Sequence, residues 1–390
     1  MTALAGAPAP VTRAWPAATV PDDWAALLPA GAVVAVAMSG GVDSSVAAAS
    51  LAERGLRCLG ITLAMWPRDR TLDRDRGCCS VDAVEDARRV CALLGIPHYA
   101  WNLEAGFRAA VVADFEAEYA AGRTPNPCVR CNQRVKFGLL LERALAAGAT
   151  HLATGHYARV GRRDGRATLH RGVDVAKDQA YTLHRVAQPA LARAVFPVAG
   201  LPTKAAVRDL AASFGLPTAT KPESQELCFV DGPLRADLGR RLAGRFAPGP
   251  VVDAAGAVVG QHPGLPFLTV GQRSGLKIAP RRPDQPPLHV LHLDPQTNTA
   301  VVGPAQALLS RSVTACGCVW IERAPELGTH LSAQVRAHGE AVDCVVVRRE
   351  ADLVTVDLAE PVLAIAPGQS LVLFAGDEVA GGGIIAAGVG

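Results

Sequence analysis

The chain has 390 residues, enough for two or three domains with separate cores, and its 49% hydrophobic and 19% charged content is that of an ordinary globular protein, which excludes disordered and fibrous classes. A net charge of +3 decides nothing about nucleic acid, because electrostatic affinity depends on where charges cluster. No uninterrupted apolar stretch reaches membrane-spanning length, and ten cysteines without an export signal argue against a disulfide framework and for thiol chemistry, a metal or burial.

Residues 1–30 are rich in Ala and Pro with Arg13 as their one basic residue, and read as a loose N-terminal extension of a cytoplasmic protein. The apolar run 33–38 then suits a parallel strand covered on both faces. It runs into Ser39-Gly40-Gly41-Val42-Asp43-Ser44-Ser45, after which Val46, Ala47, Ala48, Ala49 and Leu51 favour a helix. Gly40 and Gly41 let the backbone approach an anion, while Ser39, Ser44, Ser45 and the helix N-terminal amides can donate to it. Asp43 would repel bare phosphate and makes sense where Mg²⁺ bridges it to a nucleotide. The spacing is neither that of a P-loop nor that of a dinucleotide fold, so NTPase switching and hydride transfer fall away.

From there to about residue 220, apolar runs at 60–63, 99–103 and 151–154 alternate with helical segments at 81–94 and 137–147, which indicates a doubly wound parallel-sheet α/β domain over 31–230. Met38, Met65 and Thr154 fall near strand carboxyl ends, beside Ser39-Gly40-Gly41 and Gly155-His156, and so border one nucleotide crevice. Within this domain, Thr124-Pro125-Asn126-Pro127-Cys128-Val129-Arg130-Cys131-Asn132 reads as a stiff extended loop presenting its thiols outside any helix. A lone Cys-x-x-Cys leaves a redox pair, cluster ligands, a nucleophile with its neighbour, or half a zinc site; without a second pair, zinc is the weakest of these.

Composition shifts near Asp231. A small central domain, 231–308, is rich in Pro, Gly and Arg, with apolar runs at Val251-Val252 and 267–270. Strand-like runs at 312–319, 331–335, 342–347, 353–356 and 371–374 then indicate a compact antiparallel barrel over 309–390. Basic residues cluster at Arg159, Arg162, Arg163, Arg166 and Arg171, at Arg235, Arg240, Arg241 and Arg245, and at Arg273, Lys277, Arg281 and Arg282; each alone suits a solvated face. Cys58, Cys91 and Cys344 look structural, and Cys316 and Cys318, two apart on a strand, would share one face. Cys78-Cys79 has no assignment.

The seven residues 39–45 resemble the PP-loop of ATP pyrophosphatases, which split ATP between its α and β phosphates to adenylate an oxygen. The resemblance sharpens when the ordered set is read together: that loop, Gly-Arg-Thr-Pro-Asn-Pro-Cys-x-x-Cys-Asn, Ala-Thr-Gly-His-Tyr at 153–157, Lys-Asp-Gln at 177–179, Glu-Ser-Gln-Glu-Leu-Cys-Phe at 223–229, Thr-Val-Gly-Gln-Arg-Ser-Gly-Leu at 269–276, Pro-Gly-Gln-Ser at 367–370 and Gly-Gly-Gly-Ile-Ile at 381–385. The whole resembles the tRNA 2-thiouridylase family and covers nearly everything after the N-terminal extension.

That resemblance implies an adenine nucleotide α-hydrolase-like fold and an enzyme that adenylates the C2 oxygen of uridine 34 in a tRNA anticodon, then replaces it with sulfur, giving 2-thiouridine, AMP and diphosphate. It implies ATP and Mg²⁺ at Ala37, Met38, Ser39, Gly40, Gly41, Val42, Asp43, Ser44, Met65 and Gly155. The target base lies against Asn126, Pro127 and Cys128, with further tRNA contacts at His156, Lys177, Asp178, Gln179, Arg336, Ala337 and Gln369. Ala337 departs from the aromatic residue usual after that arginine. Cys228 carries a persulfide and Cys131 is the second catalytic cysteine, releasing the sulfur and ending in a disulfide with Cys228. Read alone, Cys228 in Leu-Cys-Phe-Val would be a core cysteine. In the other route that stays open, Cys128, Cys131 and Cys228 hold a [4Fe-4S] cluster. The implied sulfur donor is a cysteine desulfurase or a relay protein. Two other readings compete: an adenylating synthase of the amidotransferase or argininosuccinate type, which needs no Cys131 or Cys228, and a catalytically silent tRNA-binding protein.

Overall fold

The computed structural model describes residues 24–65, 81–223, 227–276, 278 and 286–386. Cys78-Cys79, Ser224-Gln225-Glu226, Lys277, Arg281, Arg282 and residues 1–23 of the N-terminal extension lie outside the described residues.

Five short strands, β1 (Val33–Ala37), β2 (Arg57–Ala64), β3 (His98–Asn102), β4 (His151–Ala153) and β7 (Ala194–Val195), form a sheet ordered β3-β2-β1-β4-β7. All neighbours run parallel. Val34, Ala35 and Val36 are fully buried, as a strand covered on both faces requires. Helix α1 (Val42–Glu53) follows β1, and its small residues Ala47, Ala48 and Ala49 join the core with Val90 and Cys91 of helix α2 (Val81–Leu94) and Val207 and Ala211 of helix Lys204–Ser213. Trp24 belongs to the same core, so ordered packing begins ahead of residue 31, with the Arg54 guanidinium over its ring. Chain order reverses at β1, which lies between β2 and β4, and this places the switch point at the carboxyl ends of β1 and β4.

A hairpin, β5 (Ala158–Arg163) and β6 (Arg166–Arg171), lies inside the first half of the chain and has no counterpart in the sequence reading. Its arginines conceal the strand pattern. Arg163 pairs with Glu378 at 2.5 Å, Arg171 with Asp178 at 2.8 Å, and Arg159 with Asp377.

The second half holds two further cores. Strands β8 (Gly249–Asp253), β9 (Val258–His262), β10 (His289–Asp294) and β11 (Thr299–Gly303) form a sheet ordered β10-β11-β8-β9 over Val251, Leu265, Val290 and Val302. Strands β12 (Leu309–Trp320), β13 (His330–Gln334), β14 (Val342–Arg349), β15 (Leu353–Leu363), β16 (Ser370–Ala375) and β17 (Glu378–Ile385) run β12-β15-β14-β13-β16-β17 and close by pairing β17 with β12. Closure removes the sheet edges. The expected shared face of Cys316 and Cys318 does not form: the register shifts after Cys316 and Gly317 takes a left-handed φ of 60°, so Cys316 is exposed while Cys318 packs toward the barrel core.

Contacts divide the chain into two units that are not contiguous in sequence: Met1–Ala110, Cys128–Phe229 and Asp377–Val379 in one, Val111–Pro127, Val230–Gly376 and Ala380–Gly390 in the other. Within the second, helix Ala113–Ala120 buries Phe115 and Tyr119 edge to face, and Glu116 lies 3.6 Å from Arg241 and 3.8 Å from Arg245. No helix among the described residues is long and apolar enough to cross a membrane.

Candidate nucleotide and thiol site

The turn after β1 is built for an anion. Gly40 adopts a left-handed φ of 70°, and α1 starts from Gly41 in an extended conformation with no side chain capping its first turn. The Ser44 hydroxyl instead bonds back into the turn, 3.2 Å from the Ser39 amide and 3.1 Å from both the Ser39 hydroxyl and the Gly41 carbonyl. Ser45 Oγ donates to the same carbonyl at 2.9 Å. The serines thus fix the turn, and the helix amides are left facing the crevice. From the other side of the switch point, Gly155 approaches so closely that a Cβ there would lie 2.7 Å from Asp43 Cβ and from the Ser44 amide nitrogen. Met38, Val42 and Met65 are buried behind the turn.

Asp43 is held by residues that the motif did not announce. Lys204 Nζ donates to both of its carboxylate oxygens, at 2.6 and 2.7 Å, and the Tyr157 hydroxyl donates to one of them at 2.6 Å. Lys204 also lies 3.4 Å from Glu223, which pairs with Lys177 at 2.8 Å. The hydrogen bond from Lys177, aided by Lys204, holds the Glu223 carboxyl below its usual range. Burial, and then Asp43, hold the Tyr157 hydroxyl far above its usual range, so it stays protonated and donating. On the far side, Lys221 Nζ bonds the Gly40 carbonyl at 3.1 Å and Asp86 at 2.5 Å. Glu223 opens a stretch that the sequence marks; Lys204, at a helix start after its Thr203 cap, carried no signal.

The thiol segment corrects one expectation. Cys128 and Cys131 do not follow an extended loop: Pro127 opens helix Pro127–Arg130, which continues as a π-helix over Cys131–Leu140. Proline suits the first helical turn, where its missing N–H would have no intrahelical partner. Presentation survives, since Cys128 is exposed in that turn and Cys131 is half-buried. Asn132 anchors the helix by donating to the Thr182 carbonyl and hydroxyl, each at 3.1 Å. Cys228 is half-buried in a turn, set by Phe229, whose ring meets Phe107 edge to face. Cys131 and Cys228 belong to the same unit of the chain. Among the described residues no three of His, Cys, Asp and Glu gather closely enough to hold a metal ion. By contrast, Cys58 and Cys91 are buried among apolar residues that push both thiols up to about 12, and they have no thiolate to offer.

The expected tRNA positions divide. His156 is buried, its ring bonded to Thr154 at 2.6 Å and lying 3.2 Å from Lys136; burial first, then Lys136, keep it neutral. Asp178 accepts from Arg171, the Gly172 amide and the Ala180 amide, and Gln179 is bonded to both backbone groups of Tyr157. These two stitch the fold, and Lys177 is half-exposed. Arg336 is exposed and donates to the Leu363 carbonyl, while the Ala337 carbonyl accepts from Gln334. Gln369 Nε2 donates to the Thr124 carbonyl at 2.7 Å, and the Thr124 amide donates to Pro367 O at 2.8 Å, so the segment leading to Asn126 and Pro127 is clamped by the loop before β16.

A parallel sheet with a phosphate turn at its switch point, a small mixed sheet and a closed barrel define a three-part protein of the HUP, or PP-loop, class. In agreement, the chain matches the tRNA methyl transferase HUP domain over residues 32–232, the PRC-barrel domain of the same family over 238–304, and the aminomethyltransferase beta-barrel domain over 310–385. It belongs to the tRNA-specific 2-thiouridylase MnmA family. The member from Heliobacterium modesticaldum is 46% identical over 358 residues, covering 90% of this chain and 92% of that one. Those from Chloroflexus aggregans and Acidothermus cellulolyticus are 46% and 45% identical, over 90% of this chain and 98% and 97% of theirs. Among solved structures, a 4-thiouridine synthetase–RNA complex with bound ATP overlays it at a TM-score of 0.34 and 19% identity, over 51% of this chain and 45% of that one.

Proposed function

We propose that this protein is a tRNA 2-thiouridylase acting on uridine 34: ATP adenylates the C2 oxygen at the 39–45 turn, and sulfur from a Cys228 persulfide replaces it. The observation that carries this reading is the co-occurrence, in one unit, of the phosphate turn at the switch point with Cys131 and Cys228, in a chain that matches thiouridylases along nearly all its length. Oxygen leaves an amide-like carbon poorly, and adenylation makes it part of AMP. A methyl transferase needs neither this activation nor two thiols, which favours the chemistry named in the full-length relatives.

The chain's own groups divide the labour. The α1 amides and Ser39 receive phosphate oxygens, and Asp43 would hold Mg²⁺, which would neutralise phosphate charge there. The C2 oxygen attacks the α phosphorus, and the bond to the β phosphate oxygen breaks, releasing diphosphate. Cys131 thiolate attacks the inner sulfur of the Cys228 persulfide and expels hydrosulfide, which adds to C2; AMP departs, and a Cys131-Cys228 disulfide remains for an external thiol to reduce. Cys128, exposed beside the base site, is a weaker proton-handling group than a carboxylate. We place the base against Asn126, Pro127 and Cys128, with Lys177 and Arg336 on phosphates, and assign delivery of sulfur to a desulfurase or relay protein in the cytoplasm. The catalytic domain is taken as 31–230, with 231–308 and 309–390 as its accessories.

An anaerobic assay tests this: iron-free protein, ATP, Mg²⁺, unmodified tRNA and persulfide-loaded desulfurase, scored for 2-thiouridine and AMP together. Formation of both is the expected result. AMP without 2-thiouridine, with activity restored by iron, would overturn the persulfide route; neither product would overturn the thiouridylase itself.

A further inference from the structure

We propose that Cys128 is the resolving thiol of the sulfur transfer: it opens the Cys131-Cys228 disulfide left by each turnover, so that the oxidised pair becomes Cys128-Cys131 at the surface. This rests on the reading above that Cys131 and Cys228 end in a disulfide. Cys128 and Cys131 are three positions apart in one continuous helical run, Pro127–Arg130 followed by Cys131–Leu140. Side chains so spaced share a helix face. Val129 and Asn132, 1% and 2% exposed, set the buried side of this turn, and Asn132 is bonded to Thr182. Cys128 and Cys131 therefore stand together on the adjoining face, the first exposed and the second half-buried. The Cα atoms of residues i and i+3 in a helix are about 5 Å apart, within the range a disulfide spans. Their Cβ atoms exceed that range by about 1 Å, so the turn has to tighten toward 3₁₀ winding, which brings such side chains into line. A first turn can do this, because its amides have no intrahelical carbonyl to lose.

The exchange needs no oxidant. Cys128, having given its proton to water, attacks the Cys131 sulfur; the Cys131-Cys228 bond breaks, the electron pair leaves on Cys228, and the Cys128-Cys131 bond forms. Cys228 is thereby returned as the thiolate that takes the next sulfane sulfur from the donor. A protein dithiol then supplies two electrons and two protons to Cys128-Cys131, reaching it through the exposed Cys128 sulfur. Both sulfurs of the first disulfide belong to half-buried residues, which a bulky reductant meets poorly, whereas the neighbouring thiol is already in place. Among the other described cysteines of this unit, Cys58 and Cys91 are buried, and burial pushes both thiols up to about 12, too high to exchange. A carboxylate at position 128 would handle protons better than this thiol does, but it would supply no second sulfur one turn from Cys131.

A single turnover of the iron-free, persulfide-loaded full chain with ATP, Mg²⁺ and tRNA, without reductant, tests the assignment. Acid quench, thiol alkylation and peptide mapping then identify the bond. The natural chain should yield Cys128-Cys131 with Cys228 alkylated, and Cys128→Ser should yield Cys131-Cys228. With thioredoxin as the protein dithiol, later turnovers of Cys128→Ser should fall about tenfold or more behind its own first turnover. Dithiothreitol, small enough to reach half-buried sulfurs, should restore them. A loss that dithiothreitol does not restore would leave Cys128 in proton handling alone, and Cys131-Cys228 as the bond in the natural chain would equally overturn the proposal. Independently of activity, Cys228→Ser equilibrated with oxidised glutathione should form Cys128-Cys131, and a chain that keeps both thiols would overturn the pairing. If the first turnover gave no 2-thiouridine, the thiouridylase reading would fall, and the resolving role with it.

Discussion

Asp43 shows how far a side chain's role depends on its partners. The motif supplies a carboxylate at a phosphate site; the fold surrounds it with Lys204 and Tyr157, groups from distant parts of the chain. Cys228 is similar, since an apolar tetrapeptide suggested burial and the turn leaves the thiol half-buried. Cys228→Ser should abolish 2-thiouridine while ATP affinity stays within about twofold of the unmodified chain, because serine cannot carry sulfane sulfur. Retained product would remove Cys228 as carrier. His184 supplies a pH prediction. It is fully buried, and burial drives its pKa from 6.5 down to about 3. The unfolded chain therefore takes up a proton as pH falls through that window and the folded chain does not, so this contribution to stability is intact above pH 6.5 and declines below it. The loss is on the order of 1 kcal/mol per pH unit. Urea unfolding at pH 6.5 and pH 5 should show a steeper drop for the natural chain than for His184→Gln, and identical drops would contradict a neutral buried ring.

At the scale of elements, the site depends on two close approaches. The β4 end meets the start of α1 through Gly155, and Gly155→Ala would press a Cβ against Asp43 and Ser44. A misfit of that kind costs about 1–3 kcal/mol, and the turn is what must yield. Thermal unfolding and ATP titration should both register the change; unaltered ATP affinity in a stable variant would show that the turn tolerates displacement. The second is the clamp of Gln369 on Thr124. Gln369→Leu should slow thiolation of bound tRNA more than it weakens tRNA binding, since the clamp sets the 124–127 segment. A loss confined to binding would make Gln369 a direct tRNA contact instead. The helix at Pro127 and the β5/β6 hairpin were the elements least legible beforehand. Two prolines restrict backbone angles equally in a loop or at a helix start, and a strand of arginines lacks apolar alternation when its partners are carboxylates.

Across the whole molecule, the units do not follow the linear order of the chain. Residues 111–127 lie inside the first half of the sequence yet pack with the second unit, where Phe115 and Tyr119 are buried. A fragment spanning 31–230 should therefore expose both aromatic rings, each of which contributes about 1.5–3 kcal/mol by burial. We expect it to bind a hydrophobic dye and to exchange the amides of 113–120 rapidly, unlike the full chain. A fragment with those amides protected would show that this helix is stable without residues 230–376.

What the sequence determined by itself is the chemistry and the class: residues 33–51 specify strand, phosphate turn and helix through purely local preferences, α2 occupies the span its periodicity indicates, and the five runs after Arg311 become strands of the barrel. These depend on neighbours a few positions apart, which a sequence displays directly. Tertiary structure decided the rest. Lys204 reaches Asp43 across 161 positions and Gln369 reaches Thr124 across 245, pairings that no local pattern encodes. His156, Asp178 and Gln179, expected as tRNA contacts, also make internal bonds whose partners only the assembled chain supplies. A polar residue's type sets the bonds it is able to make, and the packed fold sets which partner is within 3 Å of it.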